Sequence, residues 1–136
     1  MYIDTSCLVS YYVPETQSDY VQQILQQADT RIISQLVRVE FISALRKKQR
    51  MKELSEKDAN KTFNLFKNHI ASSVFEVLPL EPESYTIAEF ILKTTHQPLR
   101  TLDALHLGSV YSESLPLFSF DDVLNATAKE FGLEVV

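Results

Sequence analysis

Short apolar runs alternate with helix-spaced segments along this chain, and that alternation constrains the fold more than any other feature. Tyr2-Ile3, Arg31-Ile32-Ile33, Val74 to Leu80, Leu115 to Phe120 and Leu133 to Val136 read as strands. Thr5 or Ser6 caps a helix that runs to Tyr12 and is broken by Pro14. Thr16 to Ala28, with Tyr20, Val21, Ile24, Leu25 and Ala28 at helical spacing, predicts an amphipathic helix. Leu36 to Met51 is helical with Val37, Phe41, Ala44 and Leu45 on one side, and Ser55 with Asp58 three residues on starts a helix to Ala71. Pro82 opens another to about His96, Thr101 to Tyr111 is apolar nearly all round and predicts a buried helix, and Asp122 to Phe131 is closed by Gly132. Strands separated by helices form a parallel sheet covered on both faces. The expectation is an α/β fold: three layers, α/β/α, around a central, mostly parallel sheet.

Length and composition narrow the function. With 136 residues, 45% hydrophobic and 23% charged, the chain is expected to form one domain over residues 1–136. The single Cys7 has no intramolecular disulfide partner, and no charged segment followed by an apolar run opens the sequence, so a reducing, cytoplasmic location is expected. No apolar run approaches the ~20 residues of a membrane span. A net charge of -5 argues against non-specific polyanion binding as the main activity, so a nucleic-acid role requires a local basic patch or a metal ion.

Ligands of open parallel sheets collect beyond the carboxyl ends of the strands. Four acids are expected there: Asp4 after the first strand, Glu40 in the opening turns of the helix that follows the second strand, Asp103 at the start of the buried helix, and Asp121 after Phe120. Leu107 and Val110 share the helix face of Asp103, so its carboxylate is expected to point towards apolar packing, with Arg100 the one cation in the same turn. Buried carboxylates need compensation. Oxygen ligands without a histidine or cysteine cluster favour Mg²⁺ or Mn²⁺ over Zn²⁺. Taken singly, Asp4, Asp103 and Asp121 or Asp122 also read as helix-capping or first-turn acids. Asp121 is preferred to Asp122 for the site because Asp122 is better placed to cap the last helix.

These residues carry a family resemblance. Ile3-Asp4-Thr5-Ser6, Ser34 with Glu40 six positions later, Arg100-Thr101-Leu102-Asp103-Ala104-Leu105-His106, and Ser119-Phe120-Asp121 followed by Ala128 and Gly132 resemble the PIN-domain nucleases, most closely the VapC-like toxins of type II toxin-antitoxin systems. The resemblance implies a PIN-like fold, an endoribonuclease that binds Mg²⁺ or Mn²⁺ through Asp4, Glu40, Asp103 and Asp121, an RNA substrate, a cognate antitoxin and a homodimer with the Leu99–Tyr111 helix or its neighbours near the two-fold axis. Two rival readings are a non-catalytic PIN module that binds RNA or protein, and an aspartyl-phosphate domain centred on Asp4.

Other residues have two readings each. Thr5, Ser34 and Ser119 either orient carboxylates as hydroxyl donors or cap helices. The basic run Arg46, Lys47, Lys48, Arg50 and Lys52 either contacts the RNA backbone, with Arg46, Lys47 and Lys48 the leading candidates, or forms a solvated helix end. Arg100 either pairs with Asp103 or reaches a phosphate. His106 reads as a packed or hydrogen-bonded core histidine rather than a base, and Cys7 as a small buried residue. Tyr11-Tyr12 and the Thr16–Ala28 helix are either walls of an apolar groove or core.

Overall fold

The computed structural model describes residues 1–136. The elements run β1 (Tyr2–Ile3), α1 (Thr5–Tyr12), α2 (Ser18–Gln27), β2 (Ile32–Ser34), α3 (Gln35–Arg50), α4 (Glu56–Ala71), β3 (Glu76–Leu78), α5 (Pro82–Thr94), α6 (Thr101–Ser112), β4 (Leu117–Phe118) and α7 (Asp122–Glu130). The sheet order is β3-β2-β1-β4 and every pairing is parallel. From β1 to β2 to β3 the chain steps one way across the sheet, and from β3 to β4 it returns past β1. The helices divide accordingly: α1 packs on α2 and α3, and α3 on α4, whereas α5 lies along α6 and α6 meets α7. This is the three-layer α/β/α architecture expected. The reversal leaves a crevice beyond the carboxyl ends of β1 and β4, the place where such sheets bind ligands.

Local chemistry explains the boundaries. Ser34 ends β2 and caps α3, its hydroxyl accepting from Val37 N at 3.2 Å, and Ser55 caps α4 by accepting from Asp58 N at 3.0 Å. Gly132 adopts φ +74°, which lets Leu133 N bond the Ala128 carbonyl at 2.9 Å and terminate α7. Gly108 is required by a close approach: a Cβ there would overlap the Ser84 carbonyl oxygen across the α5–α6 contact. The central strand residues Tyr2, Ile3, Ile33, Leu117 and Phe118 are buried with Phe41, Leu45 and Leu107 in one core, and Cys7 is buried among them.

Several expectations are corrected. The strand expected over Leu133 to Val136 is a single parallel bridge between Val135 and Leu117, because only Leu117 offers it a partner. The strand expected over Val74 to Leu80 shrinks to the residues that face β2, Glu76 to Leu78. Phe118 ends β4, so Ser119, Phe120 and Asp121 form a connection and do not extend the strand. The second helix starts at Ser18, whose hydroxyl accepts from Glu15 N and bonds the Ser10 carbonyl, holding the preceding turn outside the helix. Of the two readings of Tyr11-Tyr12, the packing agrees with the core: Tyr12 lies against Phe41, Phe66 and Phe75, and Tyr11 against Phe75.

Candidate active site

Asp4 follows β1 and caps α1, which fixes its carboxylate at the crevice. Its Oδ2 accepts from Ser6 N at 3.2 Å, Ser6 Oγ at 2.7 Å and Ser119 Oγ at 2.9 Å. Oδ1 makes no hydrogen bond of its own and lies 3.8 Å from His106 Nε2. Glu40 reaches the same point from α3, because that helix starts directly after β2. Its Oε2 accepts from Thr5 Oγ1 at 2.6 Å and from His106 Nε2 at 2.7 Å. Each carboxylate therefore has one oxygen saturated by the protein and one left free. Ligand atoms of Asp4, Glu40 and His106 lie within 4.8 Å of one another.

The second pair of acids is arranged differently. Asp103, in the first turn of α6, accepts from Arg100 Nε at 2.9 Å, and Arg100 Nη2 lies 3.8 Å from Asp121 Oδ2. The Asp103 carboxylate thus turns to the crevice and its arginine, while Leu107 and Val110 fill the core below it. Asp121 lines the crevice and also caps α7, its Oδ1 accepting from Leu124 N at 2.9 Å. The cap is Asp121 and not Asp122, which is the first residue of the helix and exposed. Asp121 serves both purposes because its two oxygens point to different partners.

The remaining expected residues separate. Thr5 and Ser119 each bond a carboxylate, of Glu40 and Asp4 respectively. Ser34 contacts no acid; it caps α3 and accepts from the Tyr2 hydroxyl at 2.8 Å. Lys47, two helical turns after Glu40, lines the crevice. Arg46 and Lys48 sit on other faces of α3: Arg46 bonds Gln49 and stacks 4.9 Å over Phe63, and Lys48 pairs with Glu15 and Glu53. Arg50, from the same basic run, also lines the crevice, as does Ser43, which the sequence reading did not single out. Successive steps of three or four residues along the helix from Glu40 reach Ser43, Lys47 and Arg50. His106 was expected in the core; it is buried, yet it reaches Glu40, because it lies one turn beyond Asp103 on the same helix.

The crevice holds about 400 Å³ and joins Asp4, Glu40, Asp103, Asp121 and His106 to the basic Lys47, Arg50 and Arg100. Burial alone would push Glu40 up, but the hydrogen bonds from His106 and Thr5 and the charges of His106 and Arg100 hold it below the usual carboxylate range. Burial alone would push His106 down, and the Glu40 hydrogen bond with the charges of Asp4, Glu40 and Asp103 outweighs it, raising the imidazole above its ordinary value. The carboxylates of Asp4 and Glu40 are hard, anionic and close enough to offer ligand atoms within 4.8 Å of each other, and each keeps one oxygen free of hydrogen bonds, which fits a divalent cation held by both.

The family model of the PIN domain matches residues 1–130. The chain belongs to the PIN domain family. Ribonuclease VapC46 of Mycobacterium tuberculosis is 26% identical over 141 aligned residues, covering 100% of this PIN chain and 95% of that protein. The crystal structure of M. tuberculosis VapC20, a Sarcin-Ricin loop cleaving toxin, superposes with a TM-score of 0.71 at 15% identity, over 92% of each chain. A toxin-antitoxin complex from Klebsiella pneumoniae gives a TM-score of 0.65 at 17% identity, covering 99% of this chain and 94% of that one. At these identities the solved structures establish the PIN fold of this chain. No helix is long and apolar enough to cross a membrane.

Proposed function

We propose that this PIN chain is a single-domain, metal-dependent endoribonuclease, the cytoplasmic toxin of a toxin-antitoxin pair. The observation that carries this reading is the close pair of carboxylates Asp4 and Glu40, each with one oxygen free of hydrogen bonds, in a crevice shared with Lys47, Arg50 and Arg100. The relationship to a ribonuclease along the whole chain supports the same chemistry.

Asp4 and Glu40 would hold Mg²⁺ or Mn²⁺, with Asp103 and Asp121 completing the acidic wall. The ion, when bound, supplies positive charge to the scissile phosphodiester and lowers the pKa of a water. The protein's part is geometric. Ser6, Ser119, Thr5 and His106 occupy the second oxygens of the two principal carboxylates and so keep the first ones aimed at the crevice. Lys47 and Arg50 offer phosphate contacts along the α3 side, and Arg100 has an exposed guanidinium on the α6 side. This charge arrangement lets an acidic chain receive RNA.

A cognate antitoxin is the proposed restraint, presenting an arginine or lysine to the same acids, and a homodimer formed near α6 is the proposed assembly. Incubation of the protein with RNA and Mg²⁺ or Mn²⁺, with and without excess chelator, tests the nuclease. Cleavage confined to the metal-containing samples is expected, and undiminished cleavage in chelator refutes the metal mechanism. Expression alone and beside its genomic neighbour tests the pair: growth arrest relieved by a co-purifying partner is expected, and unimpaired growth on solo expression removes the toxin reading.

A further inference from the structure

A chain of hydrogen bonds runs from the floor of the sheet to Glu40. Val37 N bonds Ser34 Oγ, Ser34 Oγ accepts from the Tyr2 hydroxyl at 2.8 Å, the Tyr2 hydroxyl meets His106 Nδ1 at 2.7 Å, and His106 Nε2 meets Glu40 Oε2 at 2.7 Å. Tyr2 and Ser34 lie on the adjacent central strands β1 and β2, and His106, 1% exposed, comes from the helical layer on α6. An ionised carboxylate only accepts, so Nε2 carries a hydrogen to Glu40 whatever the charge of the ring. Nδ1 is equally committed to Tyr2. Both ring nitrogens are therefore used, and neither has a lone pair directed at the crevice.

We propose that His106 is a positioning residue and not a metal ligand: anchored by Tyr2 and Ser34, it holds Glu40 Oε2 so that Oε1 alone faces the cation site. The inference rests on the metal-dependent reading of the site and assigns a role within it. Thr5 contacts the same oxygen, so Oε2 is held from both sides, one grip from α1 and one from α6. Without the imidazole, Glu40 regains rotamer freedom about its flexible side chain, and that entropy must be lost again on each binding event.

The test is Mn²⁺ binding, followed by the electron paramagnetic resonance of the free ion, on wild-type protein and on Tyr2→Phe, His106→Gln and His106→Ala. Electron spin echo modulation of wild-type protein labelled with ¹⁵N-histidine accompanies it. His106→Ala is expected to weaken Mn²⁺ roughly 10- to 100-fold, the range typical of groups that orient a ligand. Tyr2→Phe, which removes one oxygen, should weaken it less, and His106→Gln, whose amide retains a donor, should recover part of the loss. No directly bonded nitrogen should appear in the wild-type spectrum. A directly coordinated ¹⁵N signal overturns the proposal, as does unchanged Mn²⁺ affinity in Tyr2→Phe and in whichever His106 variant folds. If His106→Ala fails to fold, Tyr2→Phe and His106→Gln decide. Wild-type protein that binds no Mn²⁺ refutes the metal-dependent reading itself, and the positioning role with it.

Discussion

Arg100 donates through Nε to Asp103 Oδ2 at 2.9 Å, three residues further along the chain, while its other end leans towards Asp121. The arginine is largely exposed and its charge is stabilised chiefly by that Asp103 hydrogen bond, so it functions as a resident cation between two acids. Removing it should affect ligands more than the fold, since exposed ion pairs contribute little to stability. Arg100→Ala is expected to tighten Mn²⁺ several-fold by deleting a competing charge and to weaken RNA binding. Titration of the ion and of a non-cleavable RNA against both proteins measures the two effects.

Asp121 and Asp122 can be separated by a conservative pair of changes. Asparagine caps helices about as well as aspartate, so Asp121→Asn keeps the Leu124 amide satisfied and should cost less than about 1 kcal/mol. It removes the charge facing the crevice, and RNA cleavage is expected to fall roughly 10-fold or more. Asp122→Asn should leave both quantities near wild type. Equal losses of cleavage at the two positions would place the fourth acid elsewhere.

Two buried positions should be sensitive without touching the acids. Ser34→Ala removes the cap of α3 and the partner of Tyr2, with an expected cost of roughly 2 kcal/mol. Gly108→Ala drives a methyl group into the Ser84 backbone, which has no flexible end to yield, so a loss of about 3 kcal/mol or a failure to fold is expected. Urea denaturation of both variants reads these values.

Glu15 provides a pH signature. Burial would push its carboxyl up, but hydrogen bonds from Lys48 and Ser10 and the Lys48 charge hold it below its ordinary 4.5. A lowered folded-state value contributes stability above the unfolded value, and that stability disappears as pH falls through the folded value. Wild-type protein should therefore lose stability below about pH 4.5 more steeply than Glu15→Gln, a difference visible in denaturation midpoints across the acid range.

Much of this was legible in the sequence because periodicity and capping are local. Ser55, Pro82 and Gly132 mark helix ends wherever the helices finally pack, and the alternation of strand and helix imposed a parallel sheet. Asp4, Glu40, Asp103 and Asp121 converge as expected from their places after strands and in early helical turns. The contacts that specify the site are not local. Nothing near His106 in the sequence indicates that its ring spans Tyr2 and Glu40, since those residues arrive from other layers. Arg46 and Lys48 looked equivalent to Lys47 in a basic run, yet a helix turns adjacent residues by ~100°. Only the middle one faces the crevice. The tail beyond Gly132 has strand-like residues but a single bridging position, a matter of which neighbour the sheet leaves free.

Asp4 and Ser119 are 115 positions apart in the chain and share a hydrogen bond. A nascent polypeptide on the ribosome therefore exposes its first acid long before the hydroxyl that orients it has been translated. The same delay applies to β4, which pairs with β1 and closes the crevice. Contacts of such long sequence separation form late, after the entropy of the intervening loop has been lost. The crevice is therefore complete only once translation has passed β4 and Ser119.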